Sequence, residues 1–188
     1  EIVLATRQGM AIRFPEEKVR AMGRTAYGVK GIELEDKDYV IGMVVVKRDS
    51  TLLVVTENGY GKRTSIEDYR MTNRGGKGVI NVKTTDRNGE VVSIKEVLDQ
   101  DELILITKNG IANRQAVKDI SVIGRNTQGV RLINLKNGDS VTDVARAKNR
   151  LKSVFLSRGV RAESGVYDPE RREEGLAQLP LPYQRLAS

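Results

Sequence analysis

Short apolar runs separated by turn residues recur along this chain. Residues 2–5, 52–55 and 103–106 are entirely apolar and rich in β-branched side chains. Runs of this length predict strands that are buried on both faces. Each run is followed by a two-residue turn that ends in glycine, at Gln8-Gly9, Asn58-Gly59 and Asn109-Gly110. Because such turns need positive φ, which these residue types tolerate, the pattern predicts three β-hairpins.

The segments after each hairpin also correspond. We expect a second strand through Arg13, Arg63 or Arg114, and then a polar stretch that ends in a Gly-Val pair. The third strand is predicted over residues 29–34, 79–84 and 130–135, and the fourth over residues 39–46, 91–97 and 140–145. Helix signals are weak, and residues 16–22 are predicted to form at most a turn or two.

One phrase is repeated three times and sets the period. Thr6, Thr56 and Thr107 are each followed three residues later by Gly, seven later by Arg and eighteen later by another Arg. The period is 50 and then 51 residues. Four antiparallel strands in a unit of this length are typical of propeller blades. We therefore predict an all-β, propeller-like fold with three blades over about residues 1–50, 51–101 and 102–150.

Closed rings generally contain about four to eight blades, so three blades predict an open arc or a partial disc. The chain begins with Glu1 and enters a strand at once, so we expect it to be a piece of a longer protein. After residue 150 the sequence becomes richer in proline and in clustered charge. This change predicts a tail over residues 151–188, with one extra strand at 151–160 and poor order beyond it.

The composition favours an anionic partner. The 188 residues include 32 Lys and Arg against 25 Asp and Glu, a formal net charge of +7. Such a balance is typical of proteins that bind nucleic acid or an acidic membrane surface. The chain contains no Cys, His or Trp, and no apolar run long enough to span a bilayer. We expect no metal site and no catalytic constellation on this chain, which is therefore not predicted to be catalytic on its own.

The loops that contain Arg24, Arg74 and Arg125 have two interpretations. Small residues let a phosphate approach the backbone, and an arginine can then bind a phosphate oxygen. Alternatively, each arginine pairs with a neighbouring carbonyl or carboxylate group. The glycines of the repeated turns are predicted to be structural, because positive φ alone accounts for them. These turn glycines are Gly9, Gly28, Gly59, Gly78, Gly110 and Gly129.

A second set of arginines is held at one position of the second strand. Arg13, Arg63 and Arg114 could form a ring of phosphate ligands or a ring of salt bridges between blades. We favour the structural role, because a charge at so constant a position commonly fixes the register of neighbouring units.

Other basic residues lie in or beside the turns, where a duplex could lie across them. Because the chain has two Phe and no Trp, platforms for stacking single-stranded bases are scarce, which favours double-stranded DNA held by its backbone. The predicted DNA-binding residues are Arg7, Arg20, Arg24, Lys30, Lys47, Arg48, Lys62, Arg70, Arg74, Lys77, Lys83, Arg87, Lys108, Arg125 and Arg131.

Four phrases of the sequence closely resemble the C-terminal domain of the DNA gyrase A protein. They are Val-Arg-Ala-Met-Gly at residues 19–23, Asn-Gly-Tyr-Gly-Lys-Arg-Thr at 58–64, Thr-Asp-Arg-Asn-Gly at 85–89 and Ile-Gly-Arg-Asn-Thr-Gln-Gly-Val at 123–130. Residues 74–78 also match the last five places of that family's seven-residue basic and glycine box. Thr72 and Asn73 depart from its first two places, so we interpret this stretch as the equivalent loop of a later blade.

The resemblance implies a β-pinwheel, in which blades exchange strands and duplex DNA wraps around the basic outer edge. This segment would be the last three of about six blades. The implied partners are double-stranded DNA, the rest of the gyrase A protein and, through it, the gyrase B protein, with no membrane. The whole enzyme would use ATP and magnesium for negative supercoiling in the bacterial cytoplasm at the nucleoid, with no cofactor on this chain.

Three alternatives remain open from the sequence. The equivalent domain of the topoisomerase IV A protein has a related pattern. A propeller that acts as a protein-interaction scaffold would explain the repeats without DNA. An enzyme is the third, and the lack of an acid–base or nucleophile constellation disfavours it.

Overall fold

The computed structural model describes residues 1–46, 50–136 and 138–147. These ranges contain eleven strands: β1 Ile2–Thr6, β2 Met10–Phe14, β3 Val40–Val45, β4 Thr51–Thr56, β5 Tyr60–Ser65, β6 Val79–Ile80, β7 Val91–Val97, β8 Glu102–Thr107, β9 Ala112–Ala116, β10 Val130–Arg131 and β11 Val141–Ala147. In each repeat, one 3₁₀ turn follows the second strand. These turns are Glu16–Lys18, Ile66–Asp68 and Val117–Asp119. The helix considered for residues 16–22 is thus one 3₁₀ turn. No helix in the described part of the chain is long and apolar enough to cross a membrane.

The eleven strands form three antiparallel sheets. Their strand orders are β3-β1-β2-β6, β10-β5-β4-β7 and β11-β8-β9. The apolar runs β1, β4 and β8 are internal in each sheet, between the second and the fourth strand of their own repeat. This central position explains why these runs are apolar on both faces. The predicted all-β fold is confirmed.

The third strands do not stay with their own repeats. β6 pairs with β2, with Met10 opposite Ile80, and β10 pairs with β5, with Tyr60 opposite Arg131. The third strands predicted over residues 79–84 and 130–135 begin at the expected residues but are shorter, because each exchanged strand has two residues. The period of the sequence is the same for either pairing, so it does not reveal which sheet receives the strand. The exchange agrees with the arrangement that the resemblance implies.

The first and third repeats differ from the second in their third strands and their sheet edges. Residues 29–34 of the first repeat form no strand. At the other end, the third sheet has three strands in the described residues, and no described strand pairs with the outer edge of β9. Lys47, Arg48 and the tail at 151–188 lie outside the described residues.

Apolar side chains join successive sheets. Val3 and Ala5 of the first repeat pack in one buried cluster with Leu52 and Ile94 of the second. Leu53 and Val55 lie in another cluster with Leu103, Leu105 and other buried side chains of the third repeat. Leu52 and Leu53 of β4 thus serve two neighbouring cores, which is the period-two pattern of a strand packed on both faces.

Two buried arginines also tie neighbouring repeats together. Arg13 donates from Nη1 to the carbonyl oxygens of Ile66 and Tyr69, over 2.8 and 3.1 Å. Arg63 donates from Nε to the carbonyl oxygen of Ile120, over 2.8 Å, and forms an ion pair with Asp99. These contacts agree with the structural role predicted for this position.

Arg114, at the same position of the third repeat, behaves differently. It is exposed and forms an ion pair with Glu102 of its own sheet. The expectation of an inter-blade salt bridge is therefore wrong for Arg114, and also for Arg63, because Asp99 belongs to the same repeat as Arg63.

Candidate nucleic-acid interface

The six turn glycines all have left-handed backbone conformations. Their φ values lie between 77 and 91°. At Gly78 the conformation is combined with a close approach, because a Cβ atom built there would overlap the carbonyl oxygen of Ala11. Gly78 immediately precedes β6, so the exchanged strand can reach β2 only with a residue that lacks a side chain at this point.

The Gly-Arg loops and the segments after them form a continuous edge along the repeats. We call this edge the edge belt and define it as residues 24–34, 74–84 and 125–134. Its first two parts are joined by hydrogen bonds from Gly75 N to Gly31 O, at 2.6 Å, and from Glu33 N to Gly76 O, at 2.9 Å. Its last two are joined from Lys83 N to Thr127 O, at 2.9 Å. Backbone hydrogen bonds between repeats therefore fix the course of the edge belt.

Two of the predicted arginines hold the edge belt together. Arg74 donates from Nε to Lys18 O, at 2.8 Å, and from Nη1 to Lys30 O, at 2.9 Å. Arg125 repeats this contact one unit later, from Nη1 to Ile80 O at 3.0 Å. Both guanidinium groups are bound to carbonyl oxygens of the preceding repeat, which is the structural alternative of the sequence analysis. Arg24 occupies the same position of the first repeat and is exposed.

The edge belt carries the net positive charge of the repeats. It contains seven basic residues and one acidic residue, Glu33. Its net charge of +6 equals that of residues 1–150 as a whole, so the remainder of the three repeats is neutral. A stripe of one sign on an otherwise balanced surface focuses the electrostatic potential along that stripe.

Six of the predicted residues are exposed and have no side-chain hydrogen bond or ion pair among the described residues, although the charge of Lys108 acts on nearby Asp139. They are Arg20, Arg24, Lys30, Arg70, Lys83 and Lys108. Arg24, Lys30 and Lys83 belong to the edge belt, and Lys108 lies in the hairpin turn between β8 and β9. Arg20 and Arg70 follow 3₁₀ turns at the opposite ends of β2 and β5 from the hairpin turns.

Two further predicted residues form ion pairs. Lys77 Nζ lies 3.3 Å from Glu35 Oε1, and both side chains are well exposed. An ion pair at such a position contributes little to stability. Arg7 pairs with Glu90 and donates to the phenol oxygen of Tyr39 at 2.7 Å. These contacts raise the pKa of Arg7, with the hydrogen bond to Tyr39 as the largest cause.

Lys62 is not at the surface, and its assignment as a DNA contact is corrected. Its side chain is fully buried, and its ammonium donates to the carbonyl oxygens of Gly124 and Arg125 and to Oγ1 of Thr127. Burial lowers the pKa of Lys62 from 10.5 to about 8, the nearby charge of Arg125 adds to the decrease, and Asp68 opposes it. Lys62 thus binds the Gly-Arg loop of the next repeat from inside.

Tyr60 is the residue that the sequence analysis missed. Its phenol oxygen accepts hydrogen bonds from Arg87 Nε at 3.2 Å and from Arg131 Nη2 at 2.8 Å. Both guanidinium groups also lie over its ring, 5.1 and 5.3 Å from the centroid. The two cations lower the pKa of Tyr60, and Arg131 is the larger cause. The available signal was an aromatic residue after the Asn-Gly turn, at a position where the other repeats have Met10 and Ile111.

Comparisons with known proteins agree with this arrangement of repeats. Residues 1–47, 50–97 and 101–148 each match the family model of the DNA gyrase C-terminal domain, beta-propeller. The DNA gyrase A protein of Staphylococcus aureus strain MRSA252 is 49% identical over 150 residues, which cover 79% of this chain. The same identity and coverage hold for that of strain NCTC 8325.

The chain belongs to the family of DNA gyrase C-terminal domains. It spans 17% of the length of these two relatives, so it corresponds to a small part of each.

Two solved structures have a similar fold. The DNA gyrase A C-terminal domain is 31% identical to this chain, with a TM-score of 0.72, and the match covers 77% of this chain and 50% of the other. The C-terminal domain of DNA topoisomerase IV has a TM-score of 0.76 at 22% identity, and the match covers 84% of this chain and 51% of the other. At that identity the second likeness shows the fold alone. Together with the observed strand exchange, these matches identify the fold as a β-pinwheel.

Proposed function

We propose that this gyrase-type domain binds duplex DNA along the edge belt, independently of sequence, and wraps it. The observation that carries the proposal is the confinement of the net charge of the three repeats, +6, to a hydrogen-bonded edge. Lysine and arginine side chains along such an edge neutralise phosphates and release the counterions condensed on the duplex.

The fixed course of the edge belt supports wrapping rather than simple adhesion. Bending a site of 20 to 30 base pairs costs of order 1–6 kcal/mol, so several phosphate contacts must offset it. The exposed cations Arg24, Lys30 and Lys83 lie on segments whose backbones are bonded to the next repeat. A series of cations on a rigid, continuous edge can contact successive phosphates without first becoming ordered, which reduces the entropic cost of binding.

In the whole protein, this activity would serve a type II topoisomerase. The domain would be joined to the rest of a gyrase A protein, which in turn would act with a gyrase B protein in the bacterial cytoplasm. ATP and magnesium would be bound by those other parts. Wrapping of fixed handedness would present one DNA segment for passage through another and so direct the enzyme toward negative supercoiling.

Two measurements on the chain test this function. Affinity for duplexes of increasing length, across a series of salt concentrations, should increase with length and fall linearly on a log–log plot by about 0.9 per phosphate contact. Ligation of nicked circles with bound protein should then shift the linking number. Binding that ignores DNA length and persists at high salt would contradict the proposal and favour the protein-interaction scaffold.

A further inference from the structure

We propose that Arg87, Tyr60 and Arg131 form a preorganised site for one phosphate group, which we call the arginine clasp. The inference deepens the proposed function and rests on it, because it names the residues that hold one backbone phosphate at a fixed point of the interface. The ligand class is a phosphate oxyanion, present in duplex DNA as a diester.

The first argument is the closeness of two like charges. Because Arg87 Nε and Arg131 Nη2 both donate to one phenol oxygen, at 3.2 and 2.8 Å, these nitrogen atoms cannot lie more than 6.0 Å apart. Among the described residues, no carboxylate forms an ion pair with either arginine. Two neighbouring guanidinium groups without an anionic partner repel each other, and a phosphate bound between them would relieve that repulsion.

The second argument is geometric. Tyr60 is 3% exposed, whereas both arginine side chains are exposed. The phenol therefore anchors one N–H group of each arginine from below. Arg131 uses a second N–H group for Asn134 Oδ1, at 3.3 Å. The other N–H groups of the two guanidinium groups stay available for a ligand. A guanidinium is a planar fork that matches the oxygen atoms of phosphate.

The third argument is rigidity of the supporting backbone. Arg131 lies in β10 directly opposite Tyr60. The turn that carries Arg87 is held by Asn58, whose Nδ2 donates to the carbonyl oxygens of Asp86 and Arg87 at 3.1 and 3.3 Å. Buried Asn88 ties the same turn to Gln128 O, at 3.0 Å. Side chains supported in this way lose little conformational entropy when a ligand binds.

The central residue of the clasp differs between the three repeats. The position of Tyr60 is Met10 in the first repeat and Ile111 in the third, neither of which has a side-chain oxygen. Most basic residues of the edge belt can follow a sliding duplex, but the clasp exists at one point of the three repeats. It would therefore set where a phosphate rests beside the belt, since Arg131 belongs to the belt and Arg87 follows the end of its second part.

The test compares charge with geometry in the full chain. Arg87→Lys with Arg131→Lys keeps both charges but removes the forks, and Arg87→Gln with Arg131→Gln removes both. We expect the glutamine pair to weaken duplex binding by roughly ten- to a hundredfold, as for loss of a charge-assisted contact. We expect the lysine pair to lose most of the same affinity. The matched control, Lys95→Gln with Lys118→Gln, removes two charges outside the predicted interface and should bind nearly as well as the wild type.

A spectroscopic readout separates the clasp from duplex binding in general. Inorganic phosphate bound between the arginines should raise the pKa of Tyr60, because it offsets the two cations that lower it. The Tyr60 signal is obtained as the phenolate absorbance of the wild type minus that of Tyr60→Phe, and circular dichroism verifies that each variant is folded.

The outcomes distinguish the two proposals. The clasp would be overturned if the lysine pair bound duplex DNA with wild-type affinity, or if phosphate did not change the pKa of Tyr60. Either result would leave DNA binding by the edge belt intact. The opposite result is also informative. If the wild type shows no salt-dependent duplex binding but phosphate still raises the pKa of Tyr60, the proposed function is overturned and the clasp remains as an anion site.

Discussion

Arg74 Nη1 donates a hydrogen bond to the carbonyl oxygen of Lys30 over 2.9 Å and so joins the Gly-Arg loops of two repeats. The same guanidinium also binds Lys18 O, at 2.8 Å. The loop arginines are therefore part of the scaffold that presents the exposed cations. The functions of scaffold and DNA contact can be separated by mutation.

Arg74→Ala should lower the free energy of unfolding by about 1–3 kcal/mol, because it leaves hydrogen-bonded carbonyl groups without a charged donor. Arg24→Ala is the matched control, since Arg24 holds the same repeat position and is exposed. Its effect on stability should be within about 0.5 kcal/mol. Urea unfolding of both variants measures the difference, and equal destabilisation would contradict the bridging role.

Lys30→Ala with Lys83→Ala should weaken duplex binding for all sequences alike. Both ammonium groups lie on the edge belt and hold no side-chain contact in the described structure. Each lost phosphate contact should make the log–log salt dependence less steep by about 0.9. Fluorescence anisotropy with several unrelated duplexes across a salt series measures both quantities. An effect confined to one sequence would argue against backbone recognition.

Arg74→Ala combined with Lys77→Ala should also reduce affinity independently of sequence. Part of this loss should follow from destabilisation of the edge belt, because Arg74 is bonded to the preceding repeat and Lys77 is exposed beside Glu35. Lys77→Ala alone should keep the stability of the wild type. Comparing unfolding and duplex titration for the single and double variants assigns the two contributions.

The stability of the chain should increase as pH rises from about 8 to 10.5, to the extent that Lys62 controls it. Burial lowers the folded-state pKa of Lys62 to about 8, so in this range the unfolded chain binds more protons than the folded one. Below pH 8 both states are protonated, and the cost of burying the charge is present in full. Lys62→Met should remove this increase, which denaturant unfolding at several pH values would detect as a flatter profile.

Gly78→Ala should destabilise the domain by more than about 1 kcal/mol. Gly78 has a φ of 77°, and an added Cβ would overlap the carbonyl oxygen of Ala11 on the strand that receives β6. Gly124→Ala is the control, because a Cβ there meets nothing within 4 Å and its φ is not positive. Similar unfolding midpoints for the two variants would show that the exchanged strand does not depend on this approach.

The hairpins, the repeat and its period were predictable from local chemistry. Apolar runs such as residues 52–55 become central strands because their own side chains require burial on both faces. The turn glycines follow equally from local backbone geometry, since glycine adopts the positive φ found at Gly9, Gly59 and Gly110 without steric cost. The residue before each of these glycines does not have a positive φ, so the prediction of two-residue turns with two positive φ values is wrong. The fourth strands were predicted nearly in full for the same reason, as β7 shows by covering residues 91–97.

The roles of individual cations were decided by tertiary structure. Lys62 and Lys30 are both lysines next to a glycine in the sequence. Lys62 is buried and donates to three oxygen atoms, whereas Lys30 is exposed. The partner of Tyr60 at position 131 lies 71 residues away and reaches it only through the exchange of β10. Local sequence determined the strands and turns because these depend on neighbouring residues. The sheet that each exchanged strand joins depends on hydrogen bonds between distant residues, and this pairing also sets the position of each charge. The repeat period is the same whether a strand pairs within its own repeat or with its neighbour, so the sequence alone does not decide between the two.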